Sequence, residues 1–164
     1  MGIKSHTISI KMVNKPGVLA RVAQIFSRRG WNLDSLVVSS CMDSEYSRMT
    51  VTAQGLSENL EQIVQQVSKL VDVVHCTDHS NDISVVKELA LIKIRCSVEE
   101  RIELLQIVEH FDCKTIDFTA TSMIIQASGN SDKLDAMIKL VEKFDIVELV
   151  RTGKVLMARG EQET

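Results

Sequence analysis

Leu60, Ile63, Val64 and Val67 recur at i, i+3, i+4, i+7, and Leu134, Met137, Ile138 and Val141 repeat that spacing in the second half of the chain. Each set is the buried stripe of an amphipathic helix. A repeated stripe directs attention to what flanks it, and the flanks repeat as well. Segment 6–13 alternates, with Ile8, Ile10 and Met12 on one side and Thr7, Ser9 and Lys11 on the other, which is a half-buried strand. Val18, Val22, Ile25 and Phe26 then fall at helical spacing through about residue 29, and Gly30 suits a left-handed cap. Residues 33–41 read as a strand, Asp43-Ser44-Glu45 as a turn, and 46–54 as a further strand that Gly55 closes. Ser57 stands as N-cap of the Leu60 helix, and Val71 to Cys76 is a short closing strand.

The polar segment 78–84 reads as a linker, after which the order returns. Leu89 to Cys96 is a strand, and Ser97-Val98-Glu99-Glu100 has the spacing of a capping box. Residues 113–119 and 122–128 are two strands, Ser131 caps the next helix, and 145–158 has closing-strand character. The pattern predicts an α+β chain of two ferredoxin-like βαββαβ sandwiches in tandem, over 1–78 and 84–164. With 164 residues, two halves fit the length. A half of about 80 residues buries only about 60–65% of its unfolded surface, so the halves gain from packing or from dimerising.

Composition narrows the function. Hydrophobic residues are 45% and charged residues 25%, an ordinary globular balance. Net charge is −3 without a Lys/Arg block, and aromatics are 4%, so no nucleic-acid partner is expected. No apolar run is long enough to span a bilayer and no signal peptide is evident, so no membrane partner is expected. Met1-Gly2 fails the myristoylation pattern because His6 stands where Ser or Thr is needed. Cys41, Cys76, Cys96 and Cys113 are scattered, which suits reduced core residues in a cytoplasmic or plastid-stroma compartment. GxSxG, GxGxxG, HExxH and a phosphate-binding glycine loop are all missing, so no catalytic residue is assigned. His75-Cys76-Thr77-Asp78-His79 holds four potential ligands, but a strand end running into a linker does not converge them, and no metal is expected.

The strongest site signal is the junction Asn14-Lys15-Pro16-Gly17-Val18-Leu19. Free N–H groups at a helix start attract a carboxylate or phosphate, and Gly17 permits close approach. Asn14 can cap the helix or hold a polar ligand group. Read alone, the segment is most simply a good helix start. Gly30-Trp31-Asn32-Leu33 follows the helix, where Asn32 offers both a donor and an acceptor, or simply makes a turn with Trp31 over the sheet edge.

Taken together these residues resemble the ACT-domain family, and more narrowly the small regulatory subunits of acetolactate synthase (acetohydroxyacid synthase). The resemblance runs through Asn14 to Val22, Phe26 to Leu36, Ser47 to Thr50, Leu60 to Ile63 and Lys69 to Val73. In the second half it covers Lys87 to Lys93, Ser131 to Ala136, Glu148 to Gly153 and Ala158 to Gly160. It implies an ACT domain over 1–78 and the family's C-terminal domain over 84–164. It implies a non-enzymatic chain that activates a catalytic large subunit and makes it sensitive to valine. It also implies a homodimer through ACT domains, with L-valine between Asn14, Gly17, Val18 and Leu19 of one copy and Asn32 and Leu33 of the other. Thiamine diphosphate, magnesium and FAD would belong to the catalytic partner and none to this chain. A transcription-linked amino-acid sensor would need a helix-turn-helix and a basic face, and neither is visible. An enzyme of another kind would need a perturbed Cys or His in a cleft.

Overall fold

The computed structural model describes residues 3–81 and 83–164, so Met1, Gly2 and Asp82 of the linker lie outside the described residues. The elements are β1 (Ile3–Val13), α1 (Val18–Arg28), β2 (Asn32–Ser40), β3 (Tyr46–Leu56), α2 (Ser57–Ser68) and β4 (Val73–Asp78). There follow β5 (Ser84–Arg95), α3 (Val98–His110), β6 (Lys114–Phe118), β7 (Ser122–Gly129), α4 (Ser131–Val141), β8 (Asp145–Arg151) and β9 (Val155–Ala158). The βαββαβ order occurs twice, as the periodicity predicts. The chain forms two compact units, one of residues 1–85 with 153–164 and one of 86–152. The segment after Thr152 thus groups with the first unit, where the sequence division assigns it to 84–164.

In the first unit the antiparallel sheet runs β2-β3-β1-β4. The register sets Ile8 beside Val51 and Ile10 beside Met49. These four share a face, and that face receives Val22 and Phe26 of α1 and Ile63 and Val67 of α2, all fully buried. Trp31 closes the core over Gly55, which lies inside β3 rather than ending it. A Cβ built on Gly55 would sit 2.1 Å from Trp31 Cε2. Gly55→Ala should therefore expel the indole and cost about 3 kcal/mol, the upper end for an overpacked core. Trp31 is the sole tryptophan, so its fluorescence in a urea titration reads both the red shift and the lowered midpoint. An unchanged midpoint would show that the ring relaxes at no cost.

The opposite face of this sheet departs from the alternation. Thr7, Ser9, Thr50 and Thr52 are buried rather than solvent-facing. Part of the cover is visible within the unit. His79 Nε2 meets Ser9 Oγ at 2.8 Å, and Gly153, at φ +85°, leaves no room for a Cβ against Ser35. Period-2 patterning reports which residues share a face and cannot report that both faces are covered.

In the second unit the sheet order is β6-β7-β5-β8. Ala90, Ile92 and Ile94 stand opposite Ala127, Ile125 and Met123. They pack with Leu104 and Val108 of α3 and Leu134, Met137 and Val141 of α4. Ser97 forms the expected capping box with Glu100. Its backbone and side-chain hydrogen bonds hold the Glu100 carboxyl below the usual carboxylate range. Two expected caps fall one residue off. Ser57 and Ser131 each occupy the first helical position, and the N-caps are Leu56, which offers no side-chain bond, and Asn130, which accepts from Lys133 N.

Candidate functional site

Gly17 is the N-cap of α1, at φ 86° and ψ −15°. That left-handed conformation favours glycine, and a Cβ there would meet nothing within 4 Å. The glycine is needed for the backbone turn, and the space beside it is open. Pro16 precedes it with φ preset for such a turn. No side chain caps α1, and its first turn holds no acidic residue. The partial positive charge of the helix start therefore stands uncompensated by the chain's own side chains. Lys15 is exposed beside it.

Asn14 does not cap the helix. Its Nδ2 donates to the Ser44 carbonyl at 3.1 Å, and its backbone N–H donates to the Glu45 carbonyl at 2.7 Å. Asn14 thereby ties the β1–α1 loop to the β2–β3 turn. With Val13, Lys15, Glu45 and Tyr46 it lines a shallow hollow of about 360 Å³. Glu45 and Tyr46 were not legible as neighbours of this loop, because they arrive through the β1–β3 register. That register places Tyr46 opposite Val13.

The other expected residues divide by exposure. Val18 turns its side chain into the core at 1% exposure, so only its backbone N–H faces the junction, and that N–H makes a long 3.4 Å contact to the Lys15 carbonyl. Leu19 is 40% exposed. Leu33 packs partly against the core. Asn32 is exposed at the far end of α1, where its Nδ2 donates to Asp34 Oδ1 at 3.4 Å. At 1.5 Å per residue, the 11 residues of α1 set the Gly17 and Asn32 loops roughly 16 Å apart. Within one chain the two loops do not form a common pocket for a small ligand.

Edge strand β2 adds a second feature. Leu36 pairs with Val51 and Val38 with Met49, so both lie on the core face of the sheet, yet each remains 39% exposed. These core-face apolar residues are left partly bare on an edge strand, as is Leu19 on the helix that covers that face.

The remaining clusters show no reaction chemistry. His79 is engaged with Ser9, and His75 Nε2 meets Thr77 Oγ1 at 2.6 Å. Among the described residues no group of three or more His, Cys, Asp or Glu is placed to hold a metal. The four cysteines are free thiols. Burial pushes the Cys76 thiol up to about 12, so it is not a thiolate near neutral pH. No helix among the described residues is long and apolar enough to cross a membrane.

Comparison with known proteins places these features. Residues 8–75 match the family described as the AHAS small subunit-like ACT domain, and residues 87–160 match the small subunit of acetolactate synthase. The acetolactate synthase small subunit of Mycobacterium bovis is 39% identical over 160 residues, covering 98% of this chain and 95% of that one. A probable acetolactate synthase small subunit of Archaeoglobus fulgidus is 39% identical over 158 residues, covering 96% and 99%. The crystal structure of the small subunit from Thermotoga maritima superposes with a TM-score of 0.87 at 37% identity, covering 97% of this chain and 99% of that one.

Proposed function

Because this chain belongs to the acetolactate synthase small-subunit family, we propose that it is a non-catalytic regulatory subunit that binds L-valine between two copies, activates a catalytic large subunit and makes it subject to feedback inhibition in branched-chain amino-acid synthesis. Thiamine diphosphate, magnesium and FAD belong, in this reading, to the catalytic partner.

The observation that carries the reading is the open, uncapped start of α1 at Gly17. An amino-acid carboxylate is the anion such a helix start accepts. The roughly 16 Å between this start and Asn32 supports a site shared by two chains. If β2 edges pair about a two-fold axis, the Gly17 loop of one copy approaches the Asn32 loop of the other. Leu36, Val38 and Leu19 would then lose their exposure at that contact. The Leu19 side chain and the junction's backbone would offer the isopropyl group an apolar wall. Effector binding alters activity only through unequal affinity for two states of the assembly, and a site shared by two chains supplies that inequality when their orientation changes. A coupling of roughly 1–3 kcal/mol gives ordinary feedback.

Calorimetric titration with L-valine, with D-valine as control, is the test. Saturable binding of the L form alone, at one or two sites per pair of chains, is expected. The absence of L-valine binding both in the free chain and in its complex with a catalytic subunit would sink the effector assignment.

A further inference from the structure

α3 is apolar on two opposite sides. Leu104 and Val108 enter the core of the second unit. Val98, Ile102 and Leu105 follow one another at i, i+4, i+7 along the outward face, at 67%, 68% and 42% exposure. A surface helix needs one apolar stripe to fold, and a second is a recognition feature. The outward stripe is flanked by acidic residues, with the neutral amide of Gln106 at i+4 from Ile102 and His110 at the end of the helix. Glu99 flanks its start and Glu109 continues it at i+7 from Ile102, while Glu103 is paired with Lys143. Arg101 is turned away: its guanidinium bonds the carbonyls of Thr119 and Ala120 and lies over the Phe118 ring.

Charge decides what covers such a stripe. In a two-fold pairing of α3 with α3, identical residues meet about the axis. Glu99 and Glu109 of one copy would then face the same acids of the other, and Arg101, the only arginine or lysine of α3, is engaged with Thr119, Ala120 and Phe118. Self-pairing is disfavoured, and a chain of different sequence with basic groups beside an apolar groove is favoured. We infer that the outward face of α3 is the surface that docks the catalytic subunit, Ile102 and Leu105 filling an apolar groove and Glu99 and Glu109 meeting two basic positions roughly 15 Å apart along the helix. This inference rests on the regulatory-subunit reading.

The test uses the full-length chain and the catalytic subunit of the same organism, with affinity measured by interferometry. Two variants are needed, Ile102→Gln with Leu105→Gln, and separately Glu109→Lys. All three positions are outside the core, Leu105 at 42% exposure, and the new residues are good helix formers, so α3 is retained, which circular dichroism of each variant checks. The double variant should weaken binding about 100-fold, as removal of a central apolar anchor does. Glu109→Lys should weaken it about 10-fold at low salt and flatten its salt dependence. Valine titration of the free chain should be unchanged in both. Wild-type affinity in the double variant would overturn the surface while leaving the regulatory reading intact. Failure of the wild-type chain itself to bind would overturn both. A dimer that the double variant turns into monomers in sedimentation would show that a second copy covers the stripe, and would overturn the assignment to the catalytic subunit.

Discussion

A Gly17→Asp chain should still bind and activate the catalytic subunit, and the valine concentration for half-inhibition should rise about 100-fold or more, equivalent to roughly 3 kcal/mol of lost effector binding. The backbone there sits at φ 86°, and an added Cβ meets nothing within 4 Å. Asp tolerates the left-handed region better than most residues, so strain is about 1 kcal/mol or less. The new carboxylate then does locally what the effector does from outside. It caps the N–H groups of α1's first turn, which no side chain now caps, and it sets a like charge beside the ligand carboxylate. Gly17→Asn separates the two effects, because it caps without charge and should lose less sensitivity. The assay is acetolactate formation by the reconstituted pair against valine concentration. Undiminished inhibition in Gly17→Asp would place the effector elsewhere.

Gly17 was legible because its role is local. A glycine after proline at a helix start can take the left-handed turn that other residues resist, and the structure places it there. The separation of Gly17 from Asn32 was equally legible, since helix length alone sets it. Residues brought in from afar were not. Glu45 and Tyr46 join the Asn14 loop only through strand register. Thr7 and Ser9 fall on the polar side of the alternation yet are buried, because alternation marks sides and not cover. Gly55 reads as a terminator, but its role is to make room for an indole 24 positions earlier in the chain. The caps at Ser57 and Ser131 missed by one residue because capping depends on backbone angles that composition constrains only loosely. The return of 153–164 to the first unit has no local signal at all.

Arg151→Ala should destabilise the second unit by about 3–5 kcal/mol, the largest stability effect expected of any single polar change here. Glu88, on β5, has a side chain only 5% exposed, and Arg151, on β8, reaches it with Nη2 at 2.6 Å and Nε at 3.1 Å. Ser131 Oγ, at the start of α4, donates to the other carboxylate oxygen. Arg151 also meets Asp135 through Nη1 at 2.6 Å. The network thus fastens two strands to the first turn of α4. Burial works against the charged guanidinium, and the hydrogen bonds to Glu88 and Asp135 outweigh it, so the pKa of Arg151 is raised overall. Its charge does not titrate in any useful range, and stability carried by the pair should not change with pH on the arginine's account. Removing Arg151 leaves a buried carboxylate with one hydroxyl for company. Removing the exposed Asp135 instead should cost under about 1 kcal/mol. The decisive comparison is Glu88→Leu with Arg151→Met, which removes both charges and should recover most of the loss. Urea unfolding monitored by circular dichroism reads all four chains. A loss below about 1 kcal/mol in Arg151→Ala, with no recovery in the double variant, would mean that water reaches Glu88 and that apolar packing alone holds α4 to β5 and β8.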